Sequence, residues 1–222
     1  QYVTMAARQR ANRFREAHKN DFAQAALTVR KRLDGARLQS STGLVQHRFS
    51  SVFDASAALS LFGDGRADLG VYREASQVQM LAQDVFIAGE AAGRFDWLLG
   101  LYGARTTERS PSTLLGSINN SPLLPLYAET RRDRTIETAI YGEAAYHLTG
   151  RWTASLGARA FETRLRTRSD VVVAPPGVSR AVDVSCRFDG VSPKVSLQYD
   201  LGAGQTVYLL ASQGYRAGGF NT

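Results

Sequence analysis

The chain has 222 residues, 44% of them hydrophobic and 21% charged, with a formal net charge of +7. That balance argues against wholesale disorder, and no apolar run approaches the roughly 18 to 20 residues that a membrane helix needs. Cys186 is the one cysteine, so an internal disulfide is excluded and a cysteine-ligated metal site is not expected. Of the 27 basic residues 24 are arginine, spread along the chain in the manner of residues that end strands and line loops. The densest group, Arg8, Arg10, Arg13, Arg15 and Lys19, has few aromatics beside it. Stacking of single-stranded bases is therefore unsupported, and no nucleic-acid partner is expected.

Residues 1–21 read as an irregular or helical lead-in. From Phe22 to Leu33 a period of two takes over, with Ala23, Ala25, Leu27, Val29, Lys31 and Leu33 on one parity. Asp34-Gly35 is a strong hairpin signal, because both positions tolerate positive φ. Residues 37–53 return. After a polar stretch over 54–75, a second hairpin pairs 76–86 with 94–107, where Phe95, Trp97, Leu99 and Leu101 share a face. A long segment over 108–134 carries Pro111, Pro122 and Pro125 and reads as a loop. The third hairpin joins 135–148 to 151–166 through Thr149-Gly150. On its return strand Trp152, Ala154, Leu156, Ala158 and Ala160 alternate with Thr153, Ser155, Gly157 and Arg159. A loop over 167–187 holds Pro175-Pro176-Gly177, and the last hairpin joins 188–200 to 205–216 across Gly202 and Gly204.

Connections thus alternate between short and long. Outer-membrane barrels have this layout, with tight periplasmic turns and extended outer loops. Strands of a soluble sandwich average about 5 to 6 residues, and these are about twice as long. Lipid offers the backbone no hydrogen bonds, so a spanning sheet must satisfy its amides between strands. One parity then faces lipid and the other the lumen. The lumen-facing candidates are Thr153, Ser155, Arg159, Ser192, Lys194, Ser196 and Gln198, while Trp152, Tyr146 and Tyr199 suit an interfacial girdle. Glu137 and Glu143 fit the lumen. Glu162 shares the apolar parity of its strand and is expected beyond the bilayer.

Several phrases carry a family resemblance. Val191-Ser192-Pro193-Lys194-Val195-Ser196-Leu197-Gln198-Tyr199 resembles a strand of TonB-dependent receptor barrels. Val207 to Ser212, followed by Gln213-Gly214-Tyr215-Arg216-Ala217-Gly218-Gly219-Phe220-Asn221, is similar to that family's "SxGYRAGGFN" segment. Tyr141 to Thr149, Leu156 to Arg159 and Phe95 to Tyr102 are similar to further strands. The likeness covers about residues 76–222 and is weaker around Leu38 to Gly43. It implies energy-dependent import across the Gram-negative outer membrane, through a 22-stranded barrel that encloses a plug. The implied partners are outer-membrane lipid, TonB and a small ligand such as a ferric siderophore, with cobalamin, haem and oligosaccharides as other cargoes of the family. No plug-like segment, coupling motif or terminal aromatic signal is found, so the expectation is an all-β, partial barrel of about eight strands in four hairpins.

Tyr215, Arg216, Gly218, Gly219, Phe220 and Asn221 form the family-like ending. Its glycines suit a strand end, and Arg216 suits a lumenal pairing or an anionic cargo. No catalytic constellation is present: His18, His47 and His147 have no ligand spacing, and no metal or cofactor is expected. Two other readings stay open. One is a complete eight-stranded barrel with a structural or adhesion role, whose interior side chains would fill. The other is a soluble basic β-domain that binds polyanions.

Overall fold

Alternating side chains favour an extended backbone, and an extended backbone must find hydrogen-bonding neighbours. A computed structural model describes residues 12–62, 67–90, 94–118, 121–173 and 177–215. In it the strands β1 (His18–Leu33), β2 (Ala36–Asp54), β3 (Ala67–Glu90), β4 (Phe95–Ile118), β5 (Leu124–His147), β6 (Trp152–Val173), β7 (Val178–Gly202) and β8 (Gln205–Ser212) follow one another. A short helix, α1 (Ser56–Phe62), lies between β2 and β3. Each strand pairs antiparallel with the next in a single eight-stranded sheet of order β1 to β8. β1 and β8 do not pair with each other, so the sheet has two free edges and is not a closed eight-stranded barrel.

The register fixes two faces. Leu33, Ala36, Gly89, Trp97, Ala144, Leu156, Val195 and Ala211 form one continuous row across all eight strands. Residues of that parity stay accessible: Leu44, Leu99, Leu101, Ile140, Leu156, Val191, Val195 and Leu209 are all exposed. The opposite parity is crowded. Along β6 burial follows the same parity, with Ser155, Gly157, Phe161, Thr163, Thr167, Ser169 and Val171 buried between less buried neighbours. Side chains converge on the concave side of a curved sheet and splay on the convex side, and the two parities differ accordingly. The usual protein interior is inverted here. Small hydroxyl residues are buried, and large hydrophobic ones are exposed.

Several boundaries move from those read in the sequence. β1 starts at His18 rather than Phe22, and β8 ends at Ser212 rather than 216. The stretches 108–134 and 167–187, read as long loops, are largely strand, and 54–75 is partly so: β3 starts at Ala67, β4 runs to Ile118, β5 starts at Leu124, β6 reaches Val173 and β7 starts at Val178. The outer portions of β4 and β6 do not alternate cleanly, because Leu114-Leu115 and Val171-Val172-Val173 are consecutive apolar residues. Pro111 sits in β4 where the β3–β4 ladder lapses between Glu74↔Ser112 and Gln77↔Arg109, so its missing N–H breaks no bond. Pro125 falls at the register shift between Leu114 and Leu115, a bulge that accommodates it in β5.

At the short turns, Gly35 takes φ 67° while Asp34 does not enter the left-handed region, so only one of the two hairpin positions uses that freedom. The last turn holds Gly202, Ala203 and Gly204, all at positive φ. Elsewhere two glycines make room for rings. Trp97 lies over its cross-strand partner Gly89, and Tyr141 over its partner Gly100, at separations no Cβ could share. Gly100→Val is expected to evict the Tyr141 ring and destabilise the folded chain by about 1–3 kcal/mol, read as a shift of the urea midpoint in detergent. A Gly100→Val chain of unaltered midpoint, with Tyr141 fluorescence unchanged, would contradict this packing.

Candidate functional site

The crowded face gathers the polar groups that the alternation of β5, β6 and β7 places there. Arg159 on β6 is the centre of one cluster. Its guanidinium donates to Glu137 Oε1 on β5 at 2.8 Å, lies over the Tyr102 ring on β4 at 4.7 Å, and stands 6.0 Å from the Tyr141 ring centroid. Tyr141 in turn donates its hydroxyl to Asp84 Oδ1 on β3 at 2.7 Å. One strand further along, Lys194 on β7 donates to Glu143 Oε2 at 2.8 Å, and the hydroxyls of Ser155 and Ser196 meet at 2.6 Å. Three carboxylates and two cations from β3, β5, β6 and β7 thus share one surface with the Tyr102 ring of β4. The guanidinium plane suits both its carboxylate and its ring contacts, as an ammonium would not.

The candidate lumen-facing residues Thr153, Ser155, Arg159, Ser192, Lys194, Ser196 and Gln198 all lie on this parity, the rows being Thr153↔Gln198, Ser155↔Ser196, Gly157↔Lys194 and Arg159↔Ser192. Thr153 also contacts His147 Nδ1 at 3.0 Å, and His147 Nε2 stands 2.9 Å from Asp96 at the turn end. Single-sequence reading missed the partners Asp84, Tyr102 and Tyr141. Asp84 and Tyr102 lie on the preceding hairpin and Tyr141 on the strand beside Arg159, and only the register shows that they meet. Of the family-like ending, Tyr215 is described. Its ring stacks on Phe161 of β6 with centroids 3.6 Å apart, so the chain beyond β8 leans back over the crowded face. Gly190 faces Phe161 and leaves space for that ring. Arg216, Gly218, Gly219, Phe220 and Asn221 lie outside the described residues.

The accessible face is chemically banded. Near the short turns it carries Phe95, Trp97, Tyr146, Trp152 and Tyr199, with Trp152 and Tyr199 rings 4.6 Å apart. Apolar residues follow, from Leu201 up to Val191 on β7 and from Trp152 to Ala160 on β6. The polar exceptions Ser40, Thr42 and Gln83 satisfy one another: the Gln83 amide accepts from Thr42 at 2.5 Å and donates to Ser40 at 2.9 Å. Beyond the band the same parity turns to charge. Glu162 there is held by Arg164 and by Arg187, the latter at 2.6 Å. Further out, hydrogen bonds from Arg166 and then Arg168 hold the Asp183 carboxyl well below the usual carboxylate range. Being depressed, that titration leaves the Asp183 pairs intact as pH falls through the range where free carboxylates protonate, and they are lost only below it. At the outer end of β5, burial and then the Glu129 hydrogen bond push the Tyr127 hydroxyl up to about 12.

Among the described residues no three His, Cys, Asp or Glu side chains stand together as metal ligands. None of the described helices is long and apolar enough to cross a membrane, which leaves crossing by strands untouched. Removing one partner of the Arg159–Glu137 pair strands the other among aromatic rings. Arg159→Met is expected to cost about 1–3 kcal/mol, Glu137→Gln less, and the double variant less than their sum in a double-mutant cycle of urea unfolding. Strict additivity would mean that the two do not interact.

A family model described as TonB dependent receptor-like, beta-barrel matches residues 4–222. Solved structures share the fold at low identity. The ferric yersiniabactin uptake receptor FyuA from Yersinia pestis superposes with a TM-score of 0.67 at 18% identity, over 86% of this chain and 27% of its own. The ferric-catecholate import receptor Fiu from E. coli K12 gives 0.58 at 12% identity, over 89% of this chain and 35% of its own. The ferric citrate transporter FecA gives 0.55 at 13% identity, over 86% and 27%. No curated protein matches by sequence. This chain therefore spans about a third or less of each solved receptor. The two-faced sheet of consecutive hairpins and the family match over nearly its whole length place this chain in the TonB-dependent receptor β-barrel family.

Proposed function

We propose that the chain is a wall segment of an outer-membrane receptor that imports a small ferric chelate with energy supplied through TonB. The observation that carries this reading is the asymmetry of the two faces. A lipid-facing surface needs an apolar band about 25 Å tall, bordered by aromatics, while the lumen of a large barrel stays polar. The accessible face has the band and the girdle, and the crowded face has the Arg159, Glu137, Tyr102, Tyr141, Asp84 cluster. Among the described residues few large hydrophobic side chains are buried (Leu59, Val71, Phe161 and Val171) and no second layer covers the sheet, which disfavours a soluble sandwich.

On this reading Thr153, Ser155, Arg159, Ser192, Lys194, Ser196 and Gln198 line the lumen. Tyr215 and the family-like residues Arg216, Gly218, Gly219, Phe220 and Asn221 belong to the connection beyond β8. The chain takes its place as eight consecutive strands of a 22-stranded barrel, its free β1 and β8 edges pairing with further strands of the parent receptor. The plug and the TonB contact belong to other parts of that receptor. The solved neighbours are named for ferric yersiniabactin, ferric catecholates and ferric citrate. These chemistries make a ferric chelate the first cargo class to test.

Two measurements test this reading. In the full-length receptor, Leu156→Arg puts a charge at an accessible position of the apolar band and is expected to destabilise the folded barrel by about 2–4 kcal/mol. Arg at an exposed position of the crowded-face parity, as in Gln198→Arg, is expected to cost less. Equal costs on both faces, read by urea titration of heat-modifiable mobility, would oppose a lipid-facing assignment. Deleting the receptor gene under iron limitation should abolish uptake of radiolabelled ferric chelate, and a protonophore should do the same in the intact strain. Uptake that survives both treatments would overturn the transport reading.

A further inference from the structure

Beyond the apolar band, the accessible face of β4–β7 carries arginines in adjoining rows. Arg109, Arg132 and Arg168 are direct cross-strand partners, Arg134 stands opposite Arg166, and Arg105 lies at the lower edge beside Ile136. Like charges directly opposite each other destabilise a sheet. The carboxylates on this surface do not balance them. Asp183 serves Arg166 and Arg168, Asp170 reaches Arg132 at 3.5 Å, and Glu162 is taken by Arg164 and Arg187. Arg105, Arg109 and Arg134 have no carboxylate within ion-pair distance among the described residues. The side chains of Arg132, Arg166 and Arg168 are more than half exposed.

These rows border a shallow groove of about 400 Å³ that Gln77, Gln79 and Thr107 complete with neutral polar groups. Glu108 and Asp133 also border it, but their side chains belong to the opposite parity. Glu108 is hydrogen-bonded to Ser76 and Ser110, and Asp133 to Arg131. The lower edge of the groove is continuous with the band. Arg105 stands four residues beyond Leu101 on β4, and Arg187 four residues beyond Val191 on β7. At about 3.3 Å per residue that is roughly 13 Å along a strand.

We propose that this arginine belt binds the phosphate groups of a phosphorylated lipid in the outer leaflet, whose acyl chains lie against the apolar band. The proposal rests on the outer-membrane reading above. Paired guanidinium forks match phosphate oxygens bidentately, and a divalent phosphate between opposed arginines converts their repulsion into attraction. The apolar continuity favours a lipid over a free anion, because one molecule then engages both surfaces. Neither the fold nor the lumenal network needs Arg105, Arg109 or Arg134, which make no contact within the chain that would explain three unneutralised cations.

The test uses the full-length receptor in phosphatidylcholine nanodiscs, titrated with bisphosphorylated lipid A, its dephosphorylated form or inorganic phosphate. Lipids retained on the purified protein are counted by mass spectrometry. The bisphosphorylated lipid should be retained at least about tenfold over the dephosphorylated form, with the preference falling as salt is raised. Arg109→Gln, Arg134→Gln and Arg166→Gln together should remove that preference, and the matching lysine substitutions should restore part of it. If the triple variant does not fold, Arg109→Gln and Arg134→Gln singly serve, since both side chains lack partners to lose. Equal retention of the two lipids, or a preference unchanged in the glutamine variants, would overturn the proposal. Competition by millimolar inorganic phosphate as effective as by the lipid would identify a free-anion site and overturn the lipid assignment. A receptor that folds in buffer and refuses the nanodisc would instead sink the outer-membrane reading itself.

Discussion

An extended chain must find hydrogen-bonding partners for its backbone N–H and C=O groups. Consecutive antiparallel pairing supplies them from β2 to β7, each bonded on both sides, while β1 and β8 pair on one side only. The other features of the chain follow from it. Since the ladder fixes the backbone, side chains have only two directions available, and the chemistry of the protein divides between them. Two irregularities of the ladder coincide with prolines, at Pro111 and beside Pro125, on the outer portions of β4 and β5, and others fall at Ala67/Leu69 and Asp200/Gly202.

The two faces are stabilised by different interactions. On the accessible side, apolar residues such as Leu156 and Val195 meet only along their cross-strand rows and leave much of their surface exposed, which hydrocarbon would cover on the outer-membrane reading proposed above. On the crowded side the stabilising contacts are electrostatic and reciprocal. Arg159 neutralises Glu137 and covers Tyr102, while Tyr141 is held by Asp84 and seated on Gly100. Small residues such as Ser155, Gly157 and Thr163 make that crowding possible, since larger ones would collide where the sheet curves inward.

Legibility in the sequence tracked the environment. Where one face is apolar and the other polar, as from Trp152 to Ala160 or Val191 to Tyr199, alternation is visible and the parity of Ser155, Arg159 and Lys194 follows directly. Over 108–118 and 167–173 the apolar residues come in runs, Leu114-Leu115 and Val171-Val172-Val173, so neither stretch reads as a strand although they continue β4 and β6. The prolines reinforced that impression, because a gap in pairing cannot be foreseen from one strand alone. The cluster around Arg159 was half legible for a related reason. The parity of Arg159 and Glu137 came from their own strands, but the approach of Asp84 and Tyr102 depends on register across two hairpins. The position of Tyr215 over Phe161 depends on where the chain turns after Ser212, which no local pattern encodes.

The register also contains a global quantity. Followed at right angles to the strands, the row that begins at Leu33, beside its turn, arrives at Ala211, which is 211 − 205 = 6 residues past the start of β8. Seven inter-strand steps at about 4.8 Å and six residues at about 3.3 Å give a slope near 30°. If the short turns lie in one plane, the strands lean by that angle from its normal, just short of the range usual for membrane barrels. A hydrocarbon layer about 25 Å thick is then crossed by roughly nine residues. The nine positions from Trp152 to Ala160 match that length, so the offset between neighbouring strands and the extent of the apolar stretch are two measures of a single inclination.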